Sequence, residues 1–145
     1  IYKDYVNIGI AVDTSYGLIV PNIKNANEKS IFEISEEVKE LADLANKRRL
    51  KTDQLIGATF TISSLSGIGG KYFTPIINPP EVGILGLSKT YDSLQLDDLK
   101  LQTTKQLPLS LSYDHRVING VYAIKFLNEL NKLLNDVNFL ESSFK

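Results

Sequence analysis

Leu109-Ser110-Leu111-Ser112-Tyr113-Asp114-His115-Arg116-Val117-Ile118-Asn119-Gly120 is the stretch on which the reading of this chain turns. An alternating apolar run, Leu107 to Tyr113, leads into it, and an amphipathic helical run leaves it, so it reads as a strand-to-helix corner. The corner carries His115, the only histidine of the chain. Histidine gives and takes a proton near neutral pH, and a corner of this kind aims a side chain into a cleft. A lone histidine is more often a surface or satisfied core residue. Its neighbours shift the balance: Asp114 and Arg116 are charged and Gly120 is flexible, which suits a site better than a packed core.

Working outward, Asn119 can cap a helix running to about Asn135, with Val121, Ile124, Leu127, Leu130 and Leu134 on one face. Upstream, Val82 to Lys89 reads as a strand in which Gly83 and Gly86 permit close backbone approach. Residues 91–103 read as a polar hairpin or an exposed excursion. Thr59 to Ser63 is rich in β-formers and runs into a small-residue loop, Ser63 to Gly70. Phe73 to Ile77 is extended and is broken by Asn78-Pro79-Pro80. Near the start, Val6, Ile8, Ile10 and Val12 alternate, Ser15-Tyr16-Gly17 is a turn, and Leu18 to Pro21 resumes, which signals a hairpin. Ser30 and Glu33 fit a capping box that opens a helix to about Lys47, with Ile31, Ile34, Val38, Leu41 and Ala45 on one stripe. Lys47-Arg48-Arg49-Leu50-Lys51 reads as its cationic C-terminus. The expectation is one mixed α/β layer structure over residues 1–145.

The 145 residues suffice for one domain with a core, and 43% hydrophobic with 23% charged residues reads as globular. A net charge of −1 without a basic stripe argues against a nucleic-acid partner. No apolar run approaches the roughly 20 residues of a membrane span, so no membrane partner is expected. Cysteine is absent, which excludes disulfides and thiol nucleophiles, and with one histidine it argues against a metal site. It also fits a reducing compartment. With no methionine and a start inside an apolar-polar pattern, the chain is expected to be a piece of a longer protein.

The glycine-rich loop lacks the lysine of a phosphate loop and the spacing of a dinucleotide fingerprint, so a tight turn or a channel wall is expected. No Gly-x-Ser-x-Gly elbow is present for a serine nucleophile. Ser63 and Ser64 stand at a strand end, where a hydroxyl can donate to an oxyanion while His115 removes a proton from an external nucleophile. The competing reading of either serine is a turn-forming hydroxyl.

Residues 57–89, with Phe60-Thr61-Ile62-Ser63-Ser64-Leu65-Ser66-Gly67-Ile68-Gly69-Gly70 and Asn78-Pro79-Pro80-Glu81-Val82-Gly83-Ile84-Leu85-Gly86, resemble the catalytic domain of dihydrolipoamide acyltransferases, the core subunits of 2-oxo acid dehydrogenase complexes. Asp114-His115-Arg116 through Gly120 resembles their active-site motif, and Tyr5 to Pro21 matches as well. The likeness is greatest to acetyl-transferring members of the pyruvate dehydrogenase type from Gram-negative bacteria. It implies a two-layer α/β sandwich of mixed sheet and helices, similar to chloramphenicol acetyltransferase, that forms trimers and through them a large octahedral core. It implies His115 as the base for the coenzyme A thiol, which attacks S-acetyldihydrolipoyllysine, and Ser63 as the oxyanion donor, the two meeting across a trimer interface. The lipoyl group would ride on a domain absent from this chain, as would the peripheral-subunit-binding domain and the N-terminal part of the catalytic domain. The implied partners are further copies of the chain and the pyruvate dehydrogenase and dihydrolipoamide dehydrogenase subunits, in a bacterial cytoplasm or, in a eukaryote, the mitochondrial matrix. Asn119 stands where many members carry an aspartate; it can bond and cap but holds no charge, so the third catalytic position is expected to act by positioning.

Succinyl- or branched-chain transfer and a non-catalytic structural core subunit are the alternatives, the latter opposed by the presence of His115. A stand-alone enzyme of the antibiotic-acetylating kind would carry a His-His pair where this chain has Asp114-His115.

Overall fold

A computed structural model describes residues 2–97 and 100–144. Among the described residues nine strands and four helices follow one another, with a short 3-10 turn at Ala26–Glu28. The central sheet has five strands in the order β4 (Asn22–Ile23), β1 (Ile8–Ile10), β5 (Phe60–Ser64), β6 (Gly83–Leu87), β9 (Leu109–Tyr113). β1, β5 and β6 are parallel neighbours, while β4 and β9 run antiparallel at the edges. The sheet is therefore mixed, as expected.

Its register sorts the side chains. Ile8 lies opposite Ile23 and Phe60, Ile62 opposite Leu85, and Leu85 opposite Leu111, which makes one face apolar. The other face takes Gly9, Asn22, Thr61, Ser63, Gly86, Ser110 and Ser112, which are small or polar, with Ile84 the apolar exception between Thr61 and Ser112. On the apolar face Phe60 packs against Phe126 of helix α3 (Gly120–Leu134), ring centroids 5.8 Å apart. Helix α1 (Ile31–Asn46) lies against β4 and against β2 (Val12–Thr14). Ile23, Leu41, Ala45, Ile84, Leu85 and Ala123 are among the buried apolar residues.

The capping box forms: the Ser30 hydroxyl accepts from the Glu33 amide and the Glu33 carboxylate accepts from the Ser30 amide. The hairpin also forms, with β2 pairing β3 (Gly17–Ile19). The alternation from Val6 to Val12 is not one strand, however. It breaks at Ala11, whose amide donates to Ile62, so β1 joins the main sheet and β2 leaves it. The polar hairpin is β7 (Tyr91–Asp97) with β8 (Lys100–Gln106); residues 98 and 99 between them lie outside the described residues.

The helices differ in detail from expectation. The stripe assigned to α3 is covered only in part: Leu127 and Leu130 are half-buried, while Val121, Ile124 and Leu134 are exposed and Ala123 and Leu133 turn inward instead. The basic cluster does close α1: the helix ends at Asn46, Lys47 is its C-cap, and the Arg48 and Arg49 amides donate to the Ala45 and Leu44 carbonyls, while the Arg48 guanidinium stacks on Tyr16, 3.2 Å from the ring centroid. Helices α2 (Thr52–Leu55) and α4 (Val137–Ser142) fall on stretches given no assignment from the sequence. Both are shorter than two turns, too short for periodicity to reveal.

Candidate active site

β9 ends at Tyr113, and the chain turns through residues 115–118 before α3 begins at Gly120. The turn is tied on both sides. The Asp114 amide donates to the Val82 carbonyl at 2.9 Å, anchoring it to the chain entering β6. The Asp114 carbonyl accepts from the amides of Val117 and Ile118 at 3.0 and 2.9 Å. The Asp114 carboxylate accepts the Arg116 amide at 3.0 Å, closing an Asx turn, and takes the Arg116 guanidinium on both oxygens. Those hydrogen bonds hold the Asp114 carboxyl down to about 2 and push Arg116 up. Asn119 Oδ1 then accepts the Tyr122 amide at 2.8 Å and caps α3.

His115 rides at the top of this braced loop. Its imidazole is exposed, with the Tyr113 ring 5.7 Å away, and among the described residues it has no hydrogen-bond partner. Both ring nitrogens are open to a ligand. Beside the turn lies a cleft lined by Ile77, Pro79, Pro80, Glu81, Asp114 and Arg116.

Ser63 stands elsewhere. It is half-buried near the C-terminal end of β5 on the polar face, paired across the ladder with Gly86. Its hydroxyl has no partner among the described residues. Ser64 does the local work instead: its Oγ bonds the Ser66 hydroxyl at 2.9 Å and accepts the Ser66 amide. The glycines that follow serve a turn, with Gly69 and Gly70 at φ of 121° and 89°, where a side chain would be strained. At Gly86 the need is space. A Cβ there would sit 2.7 Å from the Phe73 ring, which covers the sheet beside Ser63.

The structure brings His115 and Asn119 into one turn and keeps Ser63 away from both. Tyr113 is registered with Gly83 at the start of β6, and Ser63 with Gly86 near its end. Three residues at about 3.3 Å each and two strand spacings of about 4.8 Å separate those positions, so one chain holds Ser63 and His115 well beyond hydrogen-bond reach. Among the described residues no cluster of acids and histidine could hold a metal ion.

Thr61 and Glu81 are polar and buried in the same region, and the sequence reading missed them. The Thr61 hydroxyl donates to Glu81 Oε2 at 2.6 Å, and Asn78 Nδ2 donates to Oε1 at 3.2 Å. An acid after two prolines looks like a loop residue, and its partner is 20 positions away.

The profile of the family "2-oxoacid dehydrogenases acyltransferase (catalytic domain)" matches residues 1–141. The dihydrolipoyllysine-residue acetyltransferase component of the pyruvate dehydrogenase complex of Cupriavidus necator is 52% identical over 136 residues, which cover 94% of this chain and 25% of that protein. The atomic structure of the cubic core of the pyruvate dehydrogenase multienzyme complex superimposes with a TM-score of 0.92 at 51% identity, over 97% of this chain and 58% of that one. A second solved structure, also at 0.92 and with 50% identity over the same shares, is Azotobacter vinelandii dihydrolipoamide acetyltransferase, investigated for the role of a serine, a histidine and an asparagine in its catalytic mechanism. In that enzyme the serine stands 52 residues before the histidine and the asparagine four after it, the intervals that separate Ser63, His115 and Asn119 here. The chain thus spans about a quarter of that curated relative and somewhat over half of each solved one.

Proposed function

The chain belongs to the 2-oxoacid dehydrogenases acyltransferase (catalytic domain) family, and on that premise we propose that it carries the acetyl-transfer machinery of a pyruvate dehydrogenase complex and helps build its core. The observation that carries the reading is the serine-histidine-asparagine interval shared with the Azotobacter enzyme, at positions where this chain leaves an imidazole and a hydroxyl unpartnered.

The chemistry follows from the groups present. An Nε2 or Nδ1 lone pair of His115 takes the proton of the coenzyme A thiol. The thiolate attacks the thioester carbonyl of S-acetyldihydrolipoyllysine, and the π pair moves onto oxygen. The Ser63 hydroxyl donates to that oxyanion. Collapse of the tetrahedral intermediate forms acetyl-coenzyme A and expels the dihydrolipoyl thiolate, which recovers its proton from the His115 imidazolium. No covalent enzyme intermediate forms. Asn119 acts by starting α3 and so fixing the end of the histidine turn.

One chain cannot bring Ser63 to His115, so the reading requires a second copy whose Ser63 faces the first copy's His115. The exposed apolar side chains Val121, Tyr122 and Ile124 offer surface for such contacts. We propose trimers, assembled into a cubic core and serving the pyruvate dehydrogenase and dihydrolipoamide dehydrogenase subunits. In the complete polypeptide that contains this chain, His115→Ala is expected to cut acetyl transfer to coenzyme A by about 100-fold or more with assembly intact. Ser63→Ala should lower kcat by about 10- to 1,000-fold with little change in KM. Undiminished turnover of His115→Ala would overturn the proposed base. Faster transfer from succinyl- or isobutyryl-dihydrolipoamide would reassign the acyl group.

A further inference from the structure

Glu81 is a buried carboxylate that the proposed chemistry does not use. It is 9% exposed, and Thr61, which donates to it, is fully buried. Among the described residues no lysine, arginine or histidine pairs with it. Burying an uncompensated carboxylate costs free energy that an apolar contact would not, and what it offers in return is direction: two hydrogen bonds of fixed geometry. The slot around the Thr61 hydroxyl is tight. A Cβ at Gly9 would sit 2.6 Å from its oxygen, so the neighbouring strand needs a glycine there to clear that hydroxyl.

The two ends of this bond lead to the two candidate groups. Thr61 lies on β5 two residues before Ser63, on the same face. Glu81 immediately precedes Val82, whose carbonyl receives the Asp114 amide that opens the histidine turn. The Glu81 amide is in turn held by the Asn78 carbonyl at 3.0 Å. We propose that Glu81 is a positioning residue: by clamping Thr61 to the loop that enters β6, it fixes the His115 turn relative to the strand that carries Ser63. In an assembly where each site takes its histidine from one copy and its serine from another, an error in that relation is felt at every site.

The catalytic part of the test rests on the acetyl-transfer reading, and hydrogen exchange does not. In the complete polypeptide, Glu81→Ala and Thr61→Val are each expected to speed amide exchange over residues 113–118 by about tenfold or more while the β7–β8 hairpin exchanges as before. Both should lower kcat for acetyl transfer by about tenfold or more, with KM for coenzyme A and for the acetyl donor within about twofold. The double variant should be no worse than the more damaging single one, because both act through one contact. Glu81→Gln keeps an oxygen for the Thr61 hydroxyl and should stay within about threefold of wild type in both readouts. Unchanged exchange over residues 113–118 in Thr61→Val and Glu81→Ala would overturn the proposal, as would additive losses in the double variant or faster exchange with kcat intact. If the wild-type chain transfers no acetyl group, the function fails and exchange alone decides the clamp.

Discussion

At the scale of single residues, the histidine turn shows how charge becomes posture. Asp114 spends its carboxylate on Arg116 and its backbone on Val82, Val117 and Ile118, which leaves His115 braced and free. Because the Asp114 pKa is depressed to about 2, its contribution to stability is fully present above the ordinary carboxylate value near ~4 and is lost as the pH falls through about 2. The melting temperature of Asp114→Asn should therefore lie below wild type by a constant amount from pH 5 to 8, and the gap should close as the pH drops below about 4. A gap that instead changes between pH 6 and 8 would tie the turn to another group. The choice between Ser63 and Ser64 also belongs to this scale. Both hydroxyls stand at the same strand end in the sequence. Ser64 is consumed by its own turn, and only folded coordinates reveal that Ser63 is not.

At the scale of elements, patterns with local causes were readable and patterns decided by neighbours were not. The capping box at Ser30 and the cap at Asn119 need only residues three apart, and both form. Replacing Asn119 by alanine is expected to cost about 1 kcal/mol in chemical denaturation and to loosen the start of α3. The covered face of α3 differs from the expected stripe in the first two turns because these are apolar nearly all round: Val121, Tyr122, Ala123, Ile124, Phe126 and Leu127 follow one another with one lysine among them. Periodicity then offers more than one stripe, and contact with β9 and Phe60 selects among them. Gly86 is the opposite case, since a glycine in a strand hints at close approach and the Phe73 ring supplies it. Gly86→Ala is expected to destabilise by about 1–3 kcal/mol, because the ring beside Ser63 must move.

At the scale of the whole molecule, the sheet itself keeps the proposed catalytic groups apart. Parallel β5 delivers Ser63 toward the finishing end of β6, and antiparallel β9 delivers His115 beyond its starting end. Two inactive variants should therefore rescue each other. In a random equal mixture of His115→Ala and Ser63→Ala copies, a site built from two subunits receives both intact groups about a quarter of the time, so about a quarter of wild-type acetyl transfer should return. Activity no higher than that of either variant alone would argue for a site within one chain. Residue order alone was enough for the elements whose causes are local: the strand-to-helix corner, the caps, the hairpins, the glycine turn and the family motif that singles out His115, Ser63 and Asn119. Tertiary structure alone decided the order and direction of the strands, the face of α3 that is covered, and the burial of Glu81 against Thr61. Each of these joins residues far apart in the chain, and residue type carries no record of which distant partner will desolvate it. The same applies to the distance between Ser63 and His115, which the antiparallel turn of one edge strand sets and no spacing in the sequence discloses.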